Sequence, residues 1–399
     1  MSAASAEVVI VGGGPAGLTA AIAIAAAGVE TALITGERRE HDNRTTALLA
    51  SSVTALDTLG VWRQCREQAA PLQVMRIVDD TARLLRAPEV SFAAREIGLD
   101  AFGYNIENRF LMNGLAAVAR ELPGLQLIET QADAVEIGER YATVRLAGGG
   151  NVSARLAVGA DGRRSLCRAA AGIATSGSSY LQAALTFNLA HRRPHDHTST
   201  ELHTETGPFT LVPLPGRRSS LVLVVDPAEV PRLGMLADTA LADEIERRAH
   251  SILGKVEVEP GRGAFPLAVE TATRLGAHRV ALIGEAAHVV PPIGAQGLNL
   301  GLRDAATIGE LVIAAHRAGG DVGELGGRYE AMRRADVGSR TLAIDLLNRS
   351  LLWDFLPLQG MRGLGLFLMD RIGPLRRAAM REGVMPLASQ PRLMRGETL

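Results

Sequence analysis

The 399-residue chain has only two cysteines, Cys65 and Cys167. No disulfide framework can hold the fold, and both read as reduced thiols of a cytosolic protein. It lacks any long basic run and its net charge is -1, which argues against a nucleic-acid partner. Nowhere is an uncharged run long enough to span a bilayer, so a soluble or peripheral protein is expected. The apolar run after Pro15 lacks a basic leader and is not read as a signal peptide. Aromatic residues are 4% of the chain, leaving few stacking residues from which to recognise a ring pocket. What is present is 47% hydrophobic and 21% charged residues, which describes a well-filled globular core and excludes wholesale disorder. The length exceeds one average domain, so two packed domains or one elaborated domain are expected.

The chain is organised around Val8-Val9-Ile10-Val11-Gly12-Gly13-Gly14-Pro15-Ala16-Gly17-Leu18, with an alanine-rich segment running on to Gly28. This reads as strand, tight turn and helix. Gly12, Gly14 and Gly17 stand where a chain must turn sharply, admit a pyrophosphate to its backbone and pack helix on strand. Pro15 and Ala16 open the helix, whose N-terminus offers N–H groups and a positive dipole end to phosphate. The next strand spans Thr31 to Ile34. Its end is where dinucleotide-binding folds place a carboxylate for the ribose hydroxyls, and here Thr35 stands there. Two readings remain open: Glu37 reaches in from the loop, or Thr35 makes a weaker contact.

Arg44 lies in a polar segment, as a solvated charge or as a guanidinium closing over a cofactor's phosphates or ring. Ser51-Ser52 is the expected N-cap of a helix through Leu56 and Leu59, stopped by Gly60. Short alternating segments from Gln73 to Arg95 suggest an excursion into a sheet-rich domain. Asp100 to Asn108 and a helix from Phe110 to Glu121 return to the first domain. Leu125 to Leu146 reads as a strand meander closed at Gly148-Gly149-Gly150. A second glycine signature, Ala157-Val158-Gly159-Ala160-Asp161-Gly162-Arg163-Arg164-Ser165-Leu166-Cys167-Arg168, reads as strand, Asp-Gly turn and helix beginning at Ser165. A hairpin turn is the less natural alternative. Strands dominate from Tyr180 to Phe265. His191, His195, His197 and His203 invite a metal reading, but their spacing matches no common ligand pattern, so a polar loop is expected.

The third signature runs from Arg279 to Asp304: a buried strand to Ile283, then Gly284-Glu285-Ala286-Ala287-His288, a loop through Pro292 and Gly294, and a helix starting near Gly297. A loop with so little side-chain bulk lets backbone lie against a flat ligand, while the helix start aims N–H groups at it. Glu285, at a strand's carboxyl end, is placed for sugar hydroxyls. For His288, packing and a site role stand equally open.

Together GGGPAGL, GADGRRSLCR and GEAAHVVPPIGAQGLNLGLRDA resemble the flavoprotein aromatic hydroxylases, more closely their ubiquinone-biosynthesis branch, in order and near the family separations. The resemblance implies that Gly12, Gly14 and Gly17 hold the FAD pyrophosphate, Arg44 lies against the cofactor, and Asp161 and Gly162 serve FAD and the nicotinamide donor. Glu285 would contact the ribityl chain; the family usually carries aspartate there. Pro292 to Asn299 would lie along the isoalloxazine, with Gly297, Leu298 and Asn299 offering backbone donors. The implied chemistry is reduction of FAD by NADPH or NADH, capture of O2 as a flavin hydroperoxide, and oxygen transfer to an aromatic ring carbon, with the cofactor carrying the difficult step. No catalytic acid or base is assignable.

The expected fold is α/β: a Rossmann-like FAD-binding domain with an inserted sheet-rich substrate domain and a C-terminal helical region. The expected division is 1–72, 100–178 and 269–330 for FAD binding, 73–99 and 179–268 for the substrate domain, and 331–399 for the helical region. The implied substrate is a polyprenylated phenol of ubiquinone biosynthesis. That implies a cytoplasmic enzyme with possible peripheral contact at the inner membrane or with a quinone-biosynthesis complex. Apolar runs at Leu351–Leu358 and Leu364–Met369 read first as helices packed on the cofactor domain and second as a membrane-touching surface. The alternatives are a hydroxylase of a small soluble aromatic, a non-catalytic flavin-binding member of a quinone-assembly complex, and a flavin reductase of isoprenoid double bonds.

Overall fold

The computed structural model describes residues 4–36, 44–82, 86–352, 371–385 and 390–399. Five parallel strands form the frame, in the spatial order Val280–Leu282, Asn151–Gly159, Ala4–Val11, Thr31–Ile34, Leu125–Ile128. Val8, Val9 and Ile10 are fully buried at its centre, as an unbroken apolar run in a parallel sheet must be. Because the first strand has later strands on both sides, the order reverses beside it. Such a reversal opens a crevice at the carboxyl ends of the strands.

The helix Pro15–Ala26 covers one face and is buried from Ala16 to Ala25. Its small side chains allow a close approach by the helix Gln296–Arg317. A Cβ at Gly301 would lie 3.4 Å from the Ala16 Cβ, and one at Gly309 would lie 3.4 Å from the Ala23 Cβ. The helix Asn108–Glu121 packs on Pro15–Ala26 as well.

A second sheet of nine strands takes its members from Val74–Asp79, Val90–Ala93, Thr175–Val225, Val256–Ala272 and His288–Val289. One face packs Leu185, Phe187, Leu221 and Leu223 with Leu241 and Ile245 of the helix Asp238–Arg248. A three-stranded sheet of Thr45–Leu49, Ala69–Pro71 and Gly103–Glu107 sits between the two. Asn105 joins it to the nine-stranded sheet by donating to the Pro213 carbonyl (2.9 Å) and Ser220 Oγ (3.1 Å).

Three local expectations are corrected. Ser51 and Ser52 do not cap their helix; it spans Ala50–Thr58 and buries both serines. Its leading N–H, on Ala50, goes instead to the Phe102 carbonyl at 2.9 Å, so tertiary structure does the work of a cap. Leu125–Ile128 is a parallel strand of the main sheet, and the antiparallel meander begins only at Ala132. The histidine segment is not all loop: Thr198–Thr204 is a strand pairing with Gly207–Leu214 and, in parallel, with Val74–Asp79.

Candidate functional site

The three glycine signatures emerge side by side. Val11 is in register with Gly159 and with Ile34, and Gly159 is in register with Leu282. Their continuations Gly12, Asp161, Thr35 and Glu285 therefore leave one edge of one sheet. The ladder runs a residue further, with Gly12 N–H to the Ile34 carbonyl (2.8 Å), Ala160 N–H to Val11 (2.7 Å) and Ile283 N–H to Gly159 (2.9 Å).

The glycines differ in what they allow. Gly12 sits at φ +117°, and a Cβ there would lie 2.1 Å from the Ala160 carbonyl oxygen. A Cβ on Gly17 would lie 2.0 Å from the Gly12 carbonyl oxygen. Gly14 is of another kind: a Cβ there meets nothing within 4 Å among the described residues. It stands at the N-cap of Pro15–Ala26 and faces a groove of about 1090 Å³ that Pro15, Thr35 and Arg44 also line.

That groove supplies residues that motif reading missed. Asn108, Arg109 and Arg120 of the helix Asn108–Glu121 form its far wall. With Arg44 they bring three guanidinium groups to its lining among the described residues, Arg120 standing 3.9 Å from Glu129, a donor set able to take pyrophosphate. Arg109 pairs with Glu107 (2.8 Å) and lies over the Phe110 ring (4.7 Å). The available signal was the strand-to-helix junction at Glu107–Asn108. A smaller cavity of about 270 Å³ continues past Thr35 to Gln131, Asp161 and Arg164. Thr35 packs against Gly13 and donates its hydroxyl to the Gly36 carbonyl (3.1 Å). Glu37 lies outside the described residues.

Asp161 Oδ2 accepts the Leu166 and Cys167 N–H groups at 2.6 and 3.1 Å, while Oδ1 is buried without a partner. Ser165 caps the helix Leu166–Ala170 by accepting the Arg168 N–H (2.9 Å), as expected from its sequence. Gly162 adopts φ +78° in the turn. Arg168 reaches the third signature, donating to the Ala286 carbonyl at 2.9 Å, and Arg163 pairs with Glu270. Burial, helped by Asp161, pushes the Cys167 thiol well up, and burial alone pushes Cys65 up to about 11. Neither is a reactive thiol.

In the third signature Gly284 turns at φ +58° and Glu285 is exposed. Pro292, Gly294 and Gly297 are exposed along the loop, Leu298 is half-buried and Asn299 is buried. Ala295, just before the helix Gln296–Arg317, is left-handed at φ +56°, a strained conformation for a residue with a Cβ. The side chain of Asn299 is a brace. Its carbonyl accepts the Leu49 N–H (2.9 Å), and its amide donates to Ala47 (2.8 Å) and Ala295 (2.5 Å) carbonyls. His288 is fully buried, with Nε2 2.6 Å from Asp304 Oδ2. Among the described residues no His, Cys, Asp and Glu group is arranged to hold a metal. His191 spends Nδ1 on the Arg193 carbonyl (2.7 Å) and Nε2 on Ser219 (3.0 Å).

The donor set fits FAD. Gly14 leaves open space at a helix N-terminus, three arginines line the groove, and a buried carboxylate oxygen of Asp161 has no partner among the described residues. A family model described as an FAD binding domain matches residues 5–342. The chain is 37% identical to ubiquinone hydroxylase UbiL of Rhodospirillum rubrum, over 99% of this chain and 94% of that one. It is 30% identical to 3-demethoxyubiquinol 3-hydroxylase of Escherichia coli, over 94% of this chain and 97% of that one. In fold it is similar to p-nitrophenol 4-monooxygenase of Pseudomonas putida DLL-E4, with a TM-score of 0.79 at 19% identity, covering 96% of this chain and 98% of that one. A chain with these three strand-end signatures and these full-length relatives belongs to the family of FAD-dependent ubiquinone-biosynthesis hydroxylases.

Proposed function

We propose that this protein hydroxylates the aromatic ring of a polyprenylated phenol in ubiquinone biosynthesis, consuming O2 and NADPH or NADH. The observation that carries the reading is the emergence of the three signatures at adjacent strand ends of one sheet, with the first of them opening onto an arginine-lined groove. Bound FAD supplies the redox and oxygen-transfer chemistry. In this reading Gly12, Gly14 and Gly17 admit the pyrophosphate to the N-terminus of Pro15–Ala26. Arg44 and Arg109 neutralise it, and Thr35 borders the ribose. Asp161 and Gly162 form the wall shared with the nicotinamide donor, and Glu285 takes the ribityl hydroxyls. Pro292 to Asn299 lies along the ring system, where the first N–H groups of the helix Gln296–Arg317 favour negative charge on the reduced ring. The division into FAD-binding segments 1–72, 100–178 and 269–330, substrate segments 73–99 and 179–268, and helical region 331–399 is part of the same proposal.

A polyprenyl tail is insoluble, so the reading includes peripheral contact with a membrane surface. Among the described residues no helix is long and apolar enough to cross one. The apolar C-terminal runs lie, from Trp353 onward, outside the described residues. The test is incubation of the FAD-loaded protein with NADPH, isotopically heavy O2 and a polyprenyl phenol, followed by mass analysis of the extracted lipid. One heavy oxygen on the ring supports the proposal. A labelled soluble phenol, turnover only without O2, or no substrate-dependent NADPH oxidation would replace it with each alternative in turn.

A further inference from the structure

We propose that His288 and Asp304 are positioning residues of the flavin site, locking the turn that carries Glu285 to the helix whose N-terminus faces the ring. The inference rests on FAD lying against those two pieces, as proposed above. Asp304 is the ninth residue of the helix Gln296–Arg317, about 12 Å from its start at 1.5 Å per residue. It belongs to no expected contact with the cofactor. Yet its carboxylate is 1% exposed and fully engaged. Oδ2 accepts the Gly284 N–H at 3.0 Å and faces His288 Nε2 at 2.6 Å, while Oδ1 accepts Arg333 Nε at 2.7 Å.

The contact fixes both ends of the Gly284–His288 turn. Gly284, left-handed, is held by its N–H, and His288, four residues on, is held by its ring. Between them Glu285 projects to the surface. His288 Nδ1 is buried with no partner. The Nε2 contact with Asp304 is therefore the ring's one hydrogen bond among the described residues. Arg333 in turn is held by Asp336 (2.5 Å), which also takes Arg303 (2.7 Å) and Arg340 (2.9 Å). Those partners anchor the helix Gly326–Leu352 and hold Arg333 against Asp304. They do not touch the turn. Among the described residues, His288 supplies the side-chain hydrogen bond that couples the far end of the turn to the helix Gln296–Arg317.

The test replaces His288 by Phe, which fills the volume but cannot donate, and by Gln, whose Nε2 lies at nearly the reach of the imidazole Nε2. FAD dissociation constant, flavin visible spectrum, reduction potential and apoprotein melting are measured for each. A hydrogen bond to a buried carboxylate corresponds to about tenfold or more in an equilibrium. H288F is therefore expected to bind FAD about tenfold more weakly, with a displaced spectrum and potential, and H288Q is expected to return near the parent. Should H288F not fold, H288N, whose shorter amide falls short of Asp304, takes its place. Parent-like affinity, spectrum and potential in H288F or H288N would overturn the proposal. So would equal losses in the Gln and Phe variants that follow apoprotein melting alone. A parent protein that binds no FAD at all would instead overturn the underlying placement of the cofactor.

Discussion

The side-chain carbonyl of Asn299 accepts the backbone N–H of Leu49 at 2.9 Å, across 250 positions of sequence. The same side chain donates to Ala47, so the strand that follows Arg44 and the start of the helix Gln296–Arg317 are held as one piece. Asn299→Leu would leave the buried Leu49 N–H without an acceptor. The expected cost is about 1–3 kcal/mol of folding stability, read as a lower melting temperature of the apoprotein. FAD affinity should fall with it, because in the proposed placement the start of the helix Gln296–Arg317 faces the ring. An unchanged melting temperature would show that the brace carries no load.

What the sequence made legible was the part written in glycine. Gly17 is dictated by a backbone contact of 2.0 Å with Gly12, inside the motif itself, so the spacing announces the turn locally, whereas Gly12 answers to Ala160 of the second signature. The bracing side chains were illegible because their meaning lies in distant partners. Nothing around Asn299 announces Leu49, and nothing around His288 announces the shared claim of Gly284 and Arg333 on Asp304. Ser51 and Ser52 misled for the same reason, since Phe102 supplies the acceptor that a capping serine would have supplied. The strand Thr198–Thr204 was hidden because its Thr, Ser, Glu and His side chains lack apolar alternation, and pairing on both sides holds it in place.

Gly12 and Gly14 should separate under the same substitution. Gly12→Ala forces a Cβ to 2.1 Å from the Ala160 oxygen at φ +117°, so the fold should be damaged and little soluble protein recovered. Gly14→Ala meets no protein atom and sits at an ordinary φ of -73°. Its apoprotein should melt within about 1 kcal/mol of the parent, the cost of a poorer N-cap residue. FAD binding should nevertheless weaken at least tenfold, because the methyl group enters the groove. A Gly14→Ala protein with parent-like FAD affinity would remove the pyrophosphate from that position.

Acid should unfold the protein through the cluster beneath the third signature. Burial raises the Asp304 carboxyl, but His288 and Arg333 outweigh it and hold the value below the usual carboxylate range. Asp336 is likewise raised by burial and carried well below that range by Arg333 and Arg303. A carboxylate depressed in the folded state binds fewer protons than its unfolded counterpart. Its contribution is therefore present above the unfolded value of about 3.9 and is lost as pH falls through the folded one. Stability measured by urea titration should be flat in these two groups above about pH 5 and should decline below about pH 4. Asp336→Asn should lower stability at pH 7 and flatten the acid decline. A variant with the parent's acid slope would assign that slope to other groups.

Arg218 should be the costliest single ion pair to break between the sheets. It donates to both oxygens of Glu259 at 2.6 Å and to Glu107 at 3.0 Å, and the Glu107 carboxylate is only 2% exposed. Glu107 closes the strand that runs into the helix Asn108–Glu121, so the pair ties the groove's far wall to the nine-stranded sheet. Removing one member of a buried pair typically costs about 3–5 kcal/mol. Here Arg109 still holds Glu107 at 2.8 Å, which brings the expected loss for Arg218→Met to about 2 kcal/mol. Arg218→Met with Glu107→Gln should lose less than the sum of the two single variants, since the double variant no longer buries an uncompensated charge. Strict additivity in that cycle would mean that Arg218 and Glu107 stabilise the protein independently and that the sheets are coupled elsewhere.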